Sequence, residues 1–296
     1  MNNQTPGPRV AIIVLNWNGL EDSLECLESL RAVTYPNYEV IMVDNASDGD
    51  DVKVFREKYG DYLHIIENRD NYGYGKGYTI GVNEAFIRGA KYALLLHNDT
   101  VVAPDFLDVL VRVAEEHPEY GILSPVNFSY DQPDKVQHGG ERARWFGLRG
   151  MEVANLKEDE KDVLECTWVP LACLLMERDK VSRMGLLSAM QDYFLYGDPI
   201  WHLCSMTAKL KIGCVPQARI WHKSSQSLQR AGWSRMKWII RDNLILRYRF
   251  LSPKNLKRLT LSQFIFFTTW LFIYRPPDFI KLLLRSFRGN MKLKNN

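Results

Sequence analysis

Three polar residues of this chain stand where buried strands are expected to end. Asn16 and Asp44 directly follow the first and second apolar runs of the chain. Asp99 closes the tripeptide "HND" after the apolar run at 92–96, the fourth predicted strand. Ligands of open α/β sheets bind beyond the carboxyl ends of the strands, so these side chains are expected to converge on one crevice. Each residue alone is an equally good turn former or helix N-cap. Their combination is what indicates a binding site.

A second candidate is the glycine-rich stretch "NYGYGKG" at 71–77, which precedes a helical pattern at 78–88. It does not meet the G-x-G-x-x-G spacing and follows the third strand rather than the first, so as a dinucleotide fingerprint it is weak. A flexible loop before a helix N-terminus remains a general anion site. Lys76 within it could reach a phosphate, and the alternative is a surface lysine on a tight turn.

The elements that must position these residues alternate between strand and helix. Helical patterns separate apolar runs as far as Pro125, which predicts βαβ units around a mainly parallel central sheet flanked by helices. The runs are apolar throughout, as expected where helices cover both faces of a sheet. Residues 126–165 are polar and unpatterned. The predicted strands of the first half lie at 10–15, 38–43, 63–66 and 92–96.

Composition limits the class of protein. With 296 residues, 46% of them hydrophobic, the chain can form one large domain or a domain with an appendage. Its five cysteines form no CxxC pair, which argues against a zinc ribbon or a disulfide framework and favours a reducing compartment. The N-terminus lacks the basic and apolar regions of a signal peptide. We therefore expect a cytoplasmic protein.

The charge is distributed unevenly along the chain. Residues 230–296 contain 15 Lys and Arg against two Asp, a net charge of about +13, whereas the whole chain carries +3. This asymmetry indicates an anionic partner. The stretch "LSQFIFFTTWLFIY" within it is too short and polar to span a bilayer but is typical of an interfacial anchor. We expect an anionic membrane surface as the partner, not nucleic acid; the alternative is a helical pair packed on the preceding domain.

Six stretches, spread over roughly residues 9–225, match one known family in order. They are "VAIIVLNWNG", "YPNYEVIMVDNASDG", "NYGYGKGYTIGVNEAFIRGAKYALLLHNDTVVAPDFL", "WVPLACLLMERDKVSRMG", "YFLYGD" and "VPQARIWHKSS". Together they resemble the family 2 glycosyltransferases, particularly the rhamnosyltransferase-like branch. The resemblance implies the α/β GT-A fold of nucleotide-diphospho-sugar transferases. The catalytic domain would be 1–228, with a donor-binding half at about 9–125 and an acceptor half at about 126–228, followed by a helical basic and aromatic extension at 229–296.

The resemblance also implies a divalent cation at the end of the fourth strand, where relatives carry a DxD-type motif. Here the motif reads His97-Asn98-Asp99, so Asp99 is its single carboxylate, and His97 departs from the usual Asn or Asp. His222 matches a downstream histidine that approaches the metal, and His97 is a further candidate ligand. The ion would be Mg²⁺, which keeps much of its hydration shell, or Mn²⁺, which histidine favours.

Donor-binding residues carry over from the family in the same way. Asp44 falls at the acidic position that binds the base or ribose, and Asn16 lies beneath the nucleotide. Asn71, Lys76 and Asn98 complete the expected donor site. The donor would be a dTDP- or UDP-sugar.

The catalytic base is expected after the motif "FLYG". Allowing one missing residue, Asp198 takes the position of the family's catalytic Asp, although the acidic neighbour found in relatives is lost. Without that gap Pro199 would replace the base, and Asp192 is the reserve candidate. The implied reaction is an inverting transfer, in which the base deprotonates the acceptor hydroxyl.

The resemblance thus predicts a glycosyltransferase of cell-envelope polysaccharide biosynthesis, peripheral on the inner face of the cell membrane. The acceptor would be a glycan or a polyprenyl-diphosphate-linked glycan, and rhamnose as the sugar rests on resemblance alone. A nucleotidyltransferase is an alternative, but it would normally carry a basic glycine-rich loop where this chain reads "NWNGLEDS". A degenerate sugar-nucleotide-binding or scaffold protein is a second alternative, suggested by His97, Pro199 and the missing acidic partner.

Overall fold

The computed structural model describes most of the chain before residue 224. The chain divides into two units, Met1–Gly232 and Trp233–Asn296. The predicted membrane-associating extension at 229–296 lies outside the described residues, apart from three positions in the second unit. The side chains of 141–143, 151–153, Asp198, Pro199 and Leu203 are likewise not described. The described residues are 7–143, 151–153, 162–194, 198–223, Trp238, Arg241 and Asp242.

The first half of unit one alternates strands and helices as the sequence predicts. Its strands are β1 (Val10–Asn16), β2 (Tyr38–Asp44), β3 (Leu63–Glu67), β4 (Tyr92–His97) and β5 (Thr100–Val102). Its helices are α1 (Leu20–Arg31), α2 (Asp51–Tyr59), α3 (Gly73–Ile87) and α4 (Phe106–Glu116), with a short 3₁₀ helix at Gly60–Tyr62.

The second half contains shorter elements. Its strands are β6 (Tyr120–Ser129), β7 (Val136–His138), β8 (Glu141–Ala143), β9 (Met151–Val153), β10 (Leu164–Cys166), β11 (Cys173–Glu177) and β12 (Lys211–His222). Its helices are α5 (Arg178–Met184), α6 (Leu186–Met190) and α7 (Asp198–Thr207). Within the described ranges, the chain forms no helix long and apolar enough to cross a bilayer.

The central sheet is parallel in its first half and mixed in its second. Its strands are ordered β10-β12-β6-β11-β4-β1-β2-β3, and β5 and β7 pair with β12 and β6. The neighbours β3, β2, β1 and β4 are parallel, whereas β11 runs antiparallel to both β4 and β6. Consecutive strands become parallel neighbours only when a crossover, usually a helix, connects them. The sequence after Pro125 lacks the regular alternation of strands and helices that provides such crossovers. The α/β prediction is therefore confirmed, with a more mixed sheet than expected.

Both faces of the sheet are covered, which explains why the strands are apolar throughout. In β1, Ile12 and Val14 join an apolar core that includes residues of α1 and α4. Ile13 points the other way, toward Gly81 of α3. Because successive side chains of a strand alternate between faces, a strand buried on both sides must be apolar at every position.

Helix α3 begins earlier than the sequence predicts, and this changes the role of the glycines. The helix starts at Gly73 rather than near Tyr78, so "GYGKG" forms its first turn instead of a flexible loop. A Cβ atom on Gly75 would lie 2.0 Å from the carbonyl oxygen of Met190. The backbone N–H of Gly75 also donates to the Tyr193 carbonyl at 3.1 Å. Gly75 is therefore required for close packing of α3 against the segment after α6.

Candidate active site

The structure brings the polar strand ends to one edge of the sheet. Asn16 at the end of β1 lies opposite Asp44 at the end of β2, and Leu15 lies opposite His97 on β4. Asp99 follows directly in the turn between β4 and β5. The carboxyl ends of these parallel strands thus lie side by side at one edge of the sheet, as the sequence predicts.

The buried side chain of Asn16 is hydrogen-bonded to two carboxylates. Its Nδ2 donates to Asp44 Oδ1 at 2.8 Å and to Asp51 Oδ2 at 2.9 Å. Its Oδ1 accepts a hydrogen bond from Ser23 Oγ at 2.8 Å. Because protein groups occupy both ends of the amide, Asn16 positions its neighbours rather than offering free atoms to a nucleotide. Neither Asp51 nor Ser23 was predicted from the sequence as a contact of Asn16. The acidic run "DGDD" at 48–51, which ends in Asp51, was the feature that could have indicated it.

Asp44 is held in a tight turn at the end of β2. Its two oxygens accept from the Ser47 N–H at 2.9 Å and from Ser47 Oγ at 2.7 Å. Ala46 within the turn has a φ of 60°, a left-handed conformation that is strained for alanine. Next to this turn, exposed Asp48 accepts from Asn18 Nδ2 at 3.0 Å, and its N–H donates to Asn18 Oδ1. The turn therefore presents an ordered acidic rim at the crevice.

The other expected donor-binding residues differ in their surroundings. Asn98 is buried, and its Nδ2 donates to Ser23 Oγ at 2.8 Å beneath the loop after β1. Half-buried Asn71 accepts the N–H of Gly73, the first residue of α3, at 2.9 Å. Lys76 is exposed, with its Nζ 3.6 Å from the centre of the Tyr72 ring. Of these three, Lys76 alone has a side chain directed to the surface.

Two histidines and one carboxylate form the centre of the site. His222 Nε2 lies 3.1 Å from Asp99 Oδ1, and His97 Nδ1 lies 3.8 Å from the same oxygen. The two ring nitrogens are 3.5 Å apart. These separations leave a point about 2.0 Å from each of the three atoms, close to the length of a metal–nitrogen or metal–oxygen bond. The residues predicted as ligands are thus brought together in a geometry that fits one cation.

The electrostatics of the triad suit metal binding. Burial lowers the pKa of His97 to about 4, and His222 acts in the same direction while Asp99 opposes it. Burial would raise the pKa of Asp99, but the hydrogen bond from His222 and the charges of His222 and His97 together hold that pKa below its ordinary value. At neutral pH His97 is therefore an uncharged imidazole and Asp99 a carboxylate, which are the protonation states of metal ligands. Buried His97 Nε2 has no hydrogen-bond partner within the described part of the chain.

Lys223, the residue after His222, ties the end of β12 to helix α1. Its Nζ lies 2.8 Å from Asp22 Oδ1 and 2.5 Å from Glu25 Oε2, and its backbone N–H donates to the Asp99 carbonyl at 3.0 Å. Burial alone would lower the pKa of Lys223, but hydrogen bonds to the two carboxylates raise it above its ordinary value. We call Lys223, Asp22 and Glu25 the Lys223 clamp. It holds the backbone next to both His222 and Asp99.

The two candidates for the catalytic base lie on either side of residues 195–197. Asp198 is the first residue of α7, and its side chain is outside the described set. Asp192 is half-buried, and the following residues Tyr193 and Phe194 accept backbone hydrogen bonds from the start of α3. The assignment of the base to Asp198 stays a prediction.

Known proteins resemble this chain in sequence. Residues 11–171 match the model of Glycosyl transferase family 2. The amylovoran biosynthesis glycosyltransferase AmsE of Erwinia amylovora is 22% identical over 242 residues, covering 77% of this chain and 81% of that protein. Uncharacterized protein y4gI of Sinorhizobium fredii is 29% identical over 140 residues. That match covers 46% of this chain but spans only 14% of the relative.

Solved structures share the fold. A structure of GalNAc-T7 with UDP, GalNAc and Mn²⁺ superposes with a TM-score of 0.61 at 15% identity, covering 73% of this chain and 43% of that one. The mannosyltransferase PcManGT of Pyrobaculum calidifontis, in complex with GDP-Man and Mn²⁺, gives 0.53 at 15% identity, covering 97% and 76%. The family match extends over more than half of the sequence. The chain therefore belongs to glycosyl transferase family 2 and is a transferase enzyme of the GT-A fold.

Proposed function

We propose that this enzyme transfers a sugar from a nucleoside-diphosphate donor to a hydroxyl group of a glycan, with inversion at the anomeric carbon. The observation that carries the proposal is the convergence of His97, Asp99 and His222 at the carboxyl edge of the sheet. The Mn²⁺ and nucleotide groups named for GalNAc-T7 and PcManGT support it. Membership of the family favours glycosyl transfer over the nucleotidyl transfer considered from the sequence.

The nucleoside end of the donor is assigned to the loops after β1 and β2. Asp44 is the acidic group for the base or ribose, and Asn16 acts through it by fixing its orientation at 2.8 Å. Exposed Asp48 at the same rim is an additional acceptor for ribose hydroxyl groups. We propose UDP or dTDP as the nucleotide, with exposed Lys76 in the first turn of α3 as the group that meets a phosphate.

The diphosphate end is assigned to the His97–Asp99–His222 triad. Two imidazole nitrogens and one carboxylate favour Mn²⁺ over Mg²⁺, which prefers oxygen ligands throughout. A cation held there would supply Lewis-acid stabilisation for the departing diphosphate. The Lys223 clamp fixes the backbone of two ligands, so the site is pre-organised before the donor binds.

The role of the catalytic base is assigned to Asp198. A one-step displacement needs a base that removes the acceptor hydroxyl proton while the oxygen attacks from the face opposite the diphosphate. Asp198 at the first position of α7 suits that role, with Asp192 as the reserve.

The name of one relative and the composition of the tail support a proposal for the acceptor. AmsE is named for amylovoran biosynthesis, which supports a role in polysaccharide synthesis with a glycan or polyprenyl-diphosphate-linked acceptor. Only the sequence resemblance supports rhamnose as the transferred sugar. The basic and aromatic residues of 229–296 support a peripheral position on the cytoplasmic face of the membrane.

The test is turnover of a panel of UDP-, dTDP- and GDP-sugars in the presence of pyranoside acceptors, measured as released nucleoside diphosphate with Mn²⁺, Mg²⁺ or EDTA. We expect one donor class to be cleaved with Mn²⁺, and Asp99→Asn to abolish this cleavage. Asp61→Asn, which alters an exposed carboxylate in the 3₁₀ helix away from the site, serves as the matched control. Absence of turnover with every donor would contradict the proposed activity, and turnover that EDTA leaves unchanged would contradict the metal assignment.

A further inference from the structure

Three aromatic side chains from separate parts of the chain meet beside the candidate active site. The ring centres of Trp168 and His138 are 5.7 Å apart, with the rings inclined at 66°. The ring centres of Trp168 and His202 are 5.9 Å apart, with the rings nearly parallel at 29°. We call these three residues the Trp168 platform. His202 is buried, whereas Trp168 and His138 are half-buried, so the platform has an inner and an outer side.

The inner side of the platform is uncharged. Burial lowers the pKa of His202 to about 4, despite the opposing effect of the backbone at Thr167 and Val169. The stack is therefore a contact between two neutral rings at physiological pH. Offset stacking of this kind is favourable and fixes the orientation of the indole.

The platform is joined to both histidines of the metal site. Gln137, next to His138 on β7, donates from its Nε2 to the carbonyl of His222 at 3.4 Å. On the other side, the His97 N–H donates to the carbonyl of Ala172, four residues after Trp168, at 2.9 Å. Chain neighbours of His138 and Trp168 thus contact the backbone of both histidines.

The third member of the platform places it beside the proposed base. His202 lies one helical turn after Asp198, and residues four apart share one face of a helix. The ring beneath Trp168 is therefore carried by the helix whose first residue is the proposed base. An acceptor bound at the start of α7 would lie near this indole.

We propose that the Trp168 platform is the acceptor subsite and that it takes a pyranose ring, whose C–H face packs on the indole. The inference rests on the proposed glycosyl transfer and specifies the acceptor site. Aromatic rings present a broad apolar face with negative charge density, which suits the weakly positive C–H groups on one side of a pyranose. Binding sites commonly combine such a surface with a few polar groups that fix orientation.

Saturation-transfer NMR with p-nitrophenyl pyranosides tests the inference on the full chain. The panel contains the glucoside, galactoside, N-acetylglucosaminide and rhamnoside, each with UDP and Mn²⁺ present. We expect at least one sugar to receive saturation mainly on the C–H groups of one face. In Trp168→Ala the affinity should fall about 3- to 10-fold, and Trp168→Phe should restore part of the loss. Tyr62→Ala, which removes one ring of the Tyr59–Tyr62 pair beside β3, is the matched control and should have no effect.

The outcomes separate this inference from the proposed function. Retained binding of UDP and Mn²⁺, seen as a thermal shift, shows that Trp168→Ala is folded and its donor site intact. If UDP binds and no pyranoside binds, or if Trp168→Ala binds the sugars as tightly as the wild type, the acceptor subsite is wrong and the proposed function stands. If the wild-type protein binds neither nucleotides nor sugars, the proposed function itself fails.

Discussion

Replacing Lys223 with methionine should weaken metal binding as well as the fold. The side chain of Lys223 is 17% exposed, and its Nζ lies 2.8 Å from Asp22 Oδ1. Hydrogen bonds between charged groups contribute about 1.5–3 kcal/mol, so we expect the free energy of unfolding to fall by about 2 kcal/mol. Loss of groups that orient a metal ligand typically weakens affinity 10- to 100-fold. Because Lys223 acts through the backbone of His222 and Asp99, we expect the lower end, about tenfold.

The assay is a titration of Mn²⁺ into the full-length protein, followed by the EPR signal of the free ion, beside urea unfolding of the same samples. Lys58→Met is the matched control. Lys58 of α2 pairs at 3.1 Å with Glu28, which lies on α1 as the partners of Lys223 do. Both side chains of this pair are 45% exposed. Exposed pairs of this kind contribute about 0–1 kcal/mol. We therefore expect Lys58→Met to leave the Kd for Mn²⁺ unchanged and the stability nearly so.

Two results would refute this reasoning. A Kd for Mn²⁺ within about twofold of the wild type in Lys223→Met, with the stability loss of about 2 kcal/mol present, would make the clamp purely structural. An equal loss of Mn²⁺ affinity in Lys58→Met would mean that overall charge, and not the position of Lys223, sets the affinity.

Three further perturbations have defined outcomes. Asp198→Asn should slow sugar transfer by about 10²-fold or more with unchanged donor affinity; if Asp192→Asn abolishes transfer instead, the base is misassigned. Gly75→Ala should lower the free energy of unfolding in urea by about 1–3 kcal/mol, because its Cβ would lie 2.0 Å from the Met190 oxygen; unchanged stability would refute the close approach. Removal of 228–296 should abolish binding to anionic vesicles at low salt, where each basic residue contributes about 1 kcal/mol, and spare UDP binding; full-length protein that ignores such vesicles would contradict the anchor.

The sequence predicted the parts of the fold that depend on local pattern. The apolar runs of β1, β2 and β4 could be located because a strand buried on both faces must be apolar throughout, and their polar ends marked the edge of the sheet. The prediction of His222 as a metal ligand required the family resemblance in addition, since His222 lies far from Asp99 in the chain. The distance of 3.1 Å between His222 and Asp99 then came from the pairing of β12 with β5.

The parts that escaped prediction depend on long-range contacts. Nothing local in "HKSS" indicates that Lys223 pairs with Asp22, a residue 201 positions away. The role of Asn16 in donor binding stays a prediction, and its hydrogen bonds to Asp44 and Asp51 are contacts that only the folded chain brings about. The glycines of α3 looked like a loop because their pattern does not reveal that Met190 lies against Gly75. The antiparallel course of β11 likewise follows from its neighbours and not from its own residues.

Pulsed EPR of Mn²⁺ bound to the full-length protein with UDP tests most directly whether His97, Asp99 and His222 hold a cation. Electron spin echo modulation detects ¹⁴N nuclei bonded to the metal. The wild type should show two imidazole nitrogens, His97→Gln and His222→Gln should each show one, and Asp99→Asn should lose most of its Mn²⁺ affinity. Bound Mn²⁺ without imidazole nitrogen, or an unchanged nitrogen signal in both histidine variants, would contradict the assignment of the site.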